Sequence, residues 1–161
     1  MKKLAVVLTL PLALGLAACD TLGVPKLDVS GNILGTKPSG TVRLTLRGTT
    51  VNGWQTPVLD QINIPTFNPE KSAYAISLPE KPSDGAYELL AYADTGATAN
   101  RYDEGETRTQ VTGKVFIYAK DGLGDKSAKD CLNVKAGWSL CDTATMKVDQ
   151  SGTPFDYDMT W

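Results

Sequence analysis

The chain has 161 residues, with 16 Lys and Arg against 18 Asp and Glu and no histidine. Lys2 and Lys3 sit at the extreme start; without them the count is 14 against 18, a net charge of −4. That balance argues against a nucleic-acid partner, which wants a basic footprint, and against electrostatic attachment to an anionic bilayer. The absence of histidine removes the usual general base, the Ser-His-Asp and Cys-His arrangements and most catalytic zinc sites.

In chain order, Lys2 and Lys3 precede an apolar run from Leu4 to Leu16, broken only by Thr9, and the small residues Ala17 and Ala18 lead into Cys19. This is a signal-peptide layout. The run is shorter than the ~20 residues of a membrane-spanning helix, and Pro11 would kink it. Leu16-Ala17-Ala18-Cys19 resembles the lipobox of bacterial lipoproteins. The resemblance implies cleavage after residue 18, a diacylglycerol thioether on Cys19, acylation of the new amino terminus, and a place in the cell envelope, facing outside the cytoplasm. Two or three acyl chains would make a durable membrane anchor. An ordinary signal peptide that leaves Cys19 free is the alternative. Asp20 resembles the enterobacterial signal for staying in the inner membrane, which leaves inner against outer membrane undecided.

Residues 19–26 carry Gly23 and Pro25 without periodicity and read as a short tether. Residues 27–161 then form one domain, long enough to bury a sizeable core. Strands are expected at 27–34, 41–47, 58–64, 73–78, 86–93, 111–119, 138–141, 144–148 and 155–161. In 41–47, Val42, Leu44 and Leu46 should face inward and Thr41, Arg43, Thr45 and Arg47 should face water. Turn chemistry separates the strands at Pro38-Ser39-Gly40, Asn52-Gly53, Asn68-Pro69, Asp84-Gly85 and Ser151-Gly152. The expectation is all-β: an antiparallel sandwich of eight or nine short strands, with a small barrel as the alternative. Parallel pairing would call for crossover helices, for which there is no room. Alternation is weakest at 127–136, the place where a helix would be least surprising.

Gly85-Ala86-Tyr87-Glu88-Leu89-Leu90-Ala91 resembles the Gly-x-Tyr-x-Leu-x-Ala hairpin of transthyretin-like and carboxypeptidase-regulatory-like sandwich domains. The likeness spans about residues 31–94. It implies that Gly85 takes a strained turn position and that Tyr87, Leu89 and Ala91 share one face. It implies no activity.

With Cys19 assigned to lipid, Cys131 and Cys141 remain as an even pair in an exported chain, where disulfides persist. They lie ten residues apart, and closing a loop of that size stabilises by roughly 2.5–3 kcal/mol. A metal pair is the weaker rival, because two thiolates do not fill a zinc shell.

The best candidate site is the loop 94–106, with Asp94, Asp103, Glu104 and Glu106 among Gly96, Asn100 and Gly105. It resembles the calcium-type loops that close similar hairpins, and the resemblance implies Ca²⁺ held by Asp94, Asp103 and Glu106, with Glu104 pointing away. Gly96 and Thr98 stand where Asn or Asp is expected, and Arg101 brings a competing cation. Two alternatives are an Arg101–carboxylate pair without metal and a plain solvated loop. A second acidic loop, Asp121 to Asp125 running toward Asp130, reads as a connection limited by the disulfide, with a metal as its alternative. Trp138 and Trp161 read as core; Trp54, beside a turn, reads as exposed.

Three functions follow as expectations. The first is a lipid-anchored envelope protein whose domain binds or supports an envelope partner without catalysis. The second is a calcium-binding or small-ligand carrier, for which an enclosed apolar cavity would be diagnostic. The third is a carboxylate-based hydrolase, which needs two inward carboxylates in a deep cleft.

Overall fold

The computed structural model describes residues 27–51, 53–110, 112–123, 131–149, 152 and 154–161. The expected signal helix, the lipid site Cys19, Asp20, the tether 19–26 and the Asp125–Asp130 part of the second acidic loop lie outside the described residues. Eleven strand elements occur among those described: β1 (Val29–Leu34), β2 (Val42–Val51), β3 (Trp54–Gln55), β4 (Gln61–Asn63), β5 (Ala73–Ile76), β6 (Gly85–Ala93), β7 (Lys114–Ala119), β8 (Gly137–Asp142), β9 (Lys147–Asp149), β10 (Phe155–Asp156) and β11 (Met159–Thr160). They make an all-β structure of two sheets, consistent with a sandwich or barrel. The larger sheet is antiparallel, in the order β3-β2-β6-β7-β8-β9 with β4 also on β2. The smaller sheet sets β1 between β5 on one edge and β10 and β11 on the other.

The smaller sheet corrects the purely antiparallel expectation. Both β10 and β11 run parallel to β1, through Val29↔Phe155 and Ile33↔Met159. No crossover helix is needed, because the chain between β1 and β10 makes the connection. The last strand also divides in two at Tyr157 and Asp158. There the Asp158 carboxylate accepts the Asn32 N–H at 2.6 Å, doing the work of a ladder carbonyl. Gly31 lies opposite the break, where an added Cβ would stand 2.1 Å from the Tyr157 carbonyl oxygen. This break and the short β3 account for eleven elements against nine expected. Two expected strands are also trimmed. Residues 58 and 59 lie in a turn closed by Asp60 N–H to Pro57 O at 2.8 Å, and 144–146 belong to the turn before β9, with Met146 at φ 56°.

The main core fills the space between the sheets. Val42, Leu44 and Leu46 of β2 face it, as their alternation predicts, and so do Tyr87, Leu89 and Ala91 of β6, which share one face as the hairpin resemblance implies. Phe116 stands at its aromatic centre, 5.1 Å from Tyr157, 5.9 Å from Phe155 and 6.3 Å from Trp138. Tyr157 donates its hydroxyl to the Leu89 carbonyl at 3.1 Å, and burial pushes that phenol up to about 12.

The opposite face of the larger sheet is not the solvated surface expected. Ala86, Leu90, Tyr92 and Thr45 are fully buried there. Two loops cover it. Residues 131–134, tied to β8 by the Cys131–Cys141 disulfide (Cα–Cα 5.8 Å), cover Ala86, Ile117 and Ala119. At the other end of the same face, Tyr102 from the loop 94–106 covers Leu90 and Tyr92. Gly85 opens β6 at φ 157°, a conformation that side-chain-bearing residues rarely adopt, in line with the strained position expected, and an added Cβ would also sit 1.6 Å from Thr56 Oγ1.

Candidate functional site

The two acidic residues of the expected calcium loop that lie nearest its ends, Asp94 and Glu106, are brought together with Asp103, but backbone N–H groups converge on all three. Glu106 Oε1 accepts the Thr95 and Gly96 N–H groups at 2.6 and 2.5 Å, and its Oε2 accepts the Asp103 N–H at 2.7 Å. Asp103 Oδ2 accepts the Thr98 N–H at 2.8 Å. Asp94 Oδ2 accepts the Asn100 N–H at 3.1 Å and the Arg43 Nε–H at 2.5 Å. The local conformation makes this possible. Asn100 adopts φ 64°, which Asn tolerates better than most residues, and a Cβ on Gly96 would come within 2.5 Å of the Asp103 carboxylate. The carboxylates thus cap the loop from within, as a side chain caps the free N–H groups of a helix start.

Outside contacts hold the capped loop on the sheet. The Gln61 carboxamide bonds both backbone groups of Tyr102, donating to its carbonyl and accepting its N–H at 2.8 Å each. Asn63 Nδ2 donates to the Asn100 carbonyl. The Tyr102 ring packs edge-on to Tyr92, centroids 5.7 Å apart, and the guanidiniums of Arg47 and Arg108 lie 5.1 and 5.8 Å from its centre. Each guanidinium is also ion-paired, Arg47 to Glu104 at 3.1 Å and Arg108 to Glu88 at 2.9 Å. Glu104 points outward, as expected. The cation paired with the capping carboxylate Asp94 is Arg43 from β2, not Arg101. Arg101 instead donates to the Leu59 carbonyl.

Burial of Asp94 raises its carboxyl pKa, and the Arg43 bond and the Asn100 N–H outweigh that, so the net shift is downward from the ordinary carboxylate value. Tyr92 moves the other way. Desolvation, followed by the Asp94 charge, pushes its phenol up to about 12, with Arg43 opposing. Its buried hydroxyl has no hydrogen-bond partner among the described residues, and the same holds for Thr56 Oγ1 and Ser139 Oγ. Among the described residues, no group of three or more His, Cys, Asp or Glu side chains is arranged to hold a metal ion.

Of the tryptophans, Trp138 and Trp161 lie on the core side as expected, and Trp54 departs from its expected exposure. Trp138 and Trp161 pack on the main core while partly exposed. Trp54 packs on the disulfide cluster and donates its indole N–H to the Cys131 carbonyl at 2.9 Å. Two concavities among the described residues are open surface grooves. One of about 410 Å³ lies between β9 and β10, lined by Lys114, Leu140, Asp142, Lys147, Val148 and Asp156. Asp142 there caps the following turn through the Ala144 and Thr145 N–H groups at 2.9 Å each. A second, of about 430 Å³, runs beside β5 and Phe67.

Sequence reasoning found the capping carboxylates but missed Arg43, which pairs with Asp94, and Gln61 and Arg47, which hold the loop through Tyr102 and Glu104. The alternation of β2 was the available signal, since it puts Arg43, Thr45 and Arg47 on one face. That pattern alone reads as solvated surface. No protein-family model matches this chain, and neither a curated protein nor a solved structure matches it.

Proposed function

We propose that this chain is a lipid-anchored protein of a bacterial cell envelope, whose β-sandwich domain binds or supports an envelope partner without catalysis. One observation carries the reading: Lys2 and Lys3, the apolar run 4–16 and Ala17-Ala18-Cys19 in immediate succession. Two others support it. The Cys131–Cys141 disulfide suits a compartment outside the cytoplasm. β1 begins ten residues after Cys19, which leaves the anchor and the folded domain close neighbours in the chain.

The test is expression of the full chain and of Cys19→Ala in a bacterial host. The wild type is expected in the membrane fraction, beginning at Cys19 and carrying the mass of a diacylglycerol and an acyl group. The variant is expected to carry neither lipid nor that cleavage. A soluble wild-type protein without acyl mass overturns the proposal.

A further inference from the structure

The strand registers give the domain two distinct ends. β6 runs from Gly85, opposite Tyr118 of β7, to Ala93, opposite Val42 of β2. Gly137 of β8 pairs with Ala119, so residues 119–123 and 131–136 join residues 78–84 at the Gly85 end. The small sheet has the same polarity. Trp138 donates to the Pro79 carbonyl and Tyr118 to the Glu80 carbonyl, while Leu78 N–H bonds Asp28. Leu27 therefore leaves the domain at the Gly85 end. At the other end the Asp94 N–H bonds Thr41 O, Lys37 pairs with Glu70 at 2.8 Å, and Gly35 packs on Trp161.

We propose that the Gly85 end, residues 78–84, 119–123 and 131–136, rests against the phospholipid headgroups, and that the loops 35–41, 64–72 and 94–101 are held away from the bilayer. The inference rests on the lipid at Cys19. Its argument is length. From Cys19 to Leu27 the chain spans eight residues, at most about 26–29 Å when fully extended. β6, eight Cα steps from Gly85 to Ala93, already covers about 27 Å, and the loops beyond Ala93 add to that length. A tether leaving from the Gly85 end is too short to run the length of the domain and set the far loops on the membrane. Exposed leucines lie at both ends, Leu27 and Leu123 at this one and Leu34 at the other, so tether length alone carries the orientation.

Lysines at both ends report the orientation without altering the fold: Lys81 and Lys120 at the Gly85 end, Lys37 and Lys71 at the far end, all exposed. The full acylated protein is incorporated into phosphatidylethanolamine–phosphatidylglycerol vesicles and labelled with an amine-reactive reagent. Peptide masses are then compared with those of the same protein labelled in detergent. The expected result is a several-fold loss of labelling on vesicles at Lys81 and Lys120, with Lys37 and Lys71 unchanged. Equal protection at both ends, or protection of Lys37 and Lys71 alone, overturns the orientation while leaving the anchor intact. Protein that fails to float with the vesicles overturns the anchor and the orientation with it. A Gly-Ser segment of the tether's own length, inserted between Lys26 and Leu27, is expected to erase the asymmetry; persistence of the asymmetry overturns the length argument.

Discussion

Gln61 and Tyr102 are joined backbone to side chain by two hydrogen bonds of 2.8 Å, one in each direction. This pairing holds the cover over one end of the larger sheet's outer face. Tyr102 is the residue of the loop 94–106 that covers Leu90 and Tyr92. Replacing Gln61 by Leu leaves the Tyr102 N–H and C=O without partners. The expected cost is about 1–3 kcal/mol, read as a lowered urea midpoint, together with faster hydrogen exchange at the Tyr102 amide. An unchanged exchange rate would mean that ring packing alone holds the loop.

Asp94 makes the fold pH-sensitive in a stated direction. Its folded carboxyl lies below the ordinary value of 3.8. It therefore contributes stability above pH ~4, lost as the pH falls through the lower folded value. Arg43→Gln removes the main opposing charge and should raise the Asp94 pKa, measured by carbon-detected NMR titration. Asp94→Asn should lose stability at pH 7 and approach the parent at pH 2. A deficit that persists undiminished at pH 2 would assign the effect to packing.

The carboxylates of the loop are engaged as caps, and this bears on the calcium expectation. Glu106→Gln weakens acceptance of three N–H groups and should loosen residues 95–103 in hydrogen exchange, with or without calcium. The wild-type midpoint should stay in place from zero to millimolar calcium. A rise in the midpoint with calcium, abolished by Asp103→Asn, would show that the loop exchanges its internal caps for a cation.

The disulfide should act through the cover it anchors. Cys131→Ala with Cys141→Ala is expected to cost on the order of 2–4 kcal/mol in urea denaturation. The loss should be accompanied by exposure of Trp54, whose indole N–H bonds Cys131 O, seen as a red shift of its fluorescence. A lowered midpoint without that shift would place the effect in the unfolded chain alone.

Several features were legible before any tertiary structure. Period-two alternation placed Val42, Leu44 and Leu46 on the core face, and the hairpin resemblance put Tyr87, Leu89 and Ala91 together on one face, because side-chain direction along a strand is a local property. Parity and compartment paired Cys131 with Cys141. The acidic loop was recognisable as a distinct element, although not for what its carboxylates do. The parallel docking of β10 and β11 on β1 was not legible, since nothing in either segment records which of its edges meets a strand more than a hundred residues away. Thr45 shows the same limit. Its place in the β2 alternation says that it faces away from Leu44, and the pattern stops there. Whether that second face meets water depends on Tyr102 and Cys131, which reach it through loops closed by Gln61 and by a disulfide. Local sequence determined the direction of each side chain; non-local contacts decided what stands in front of it.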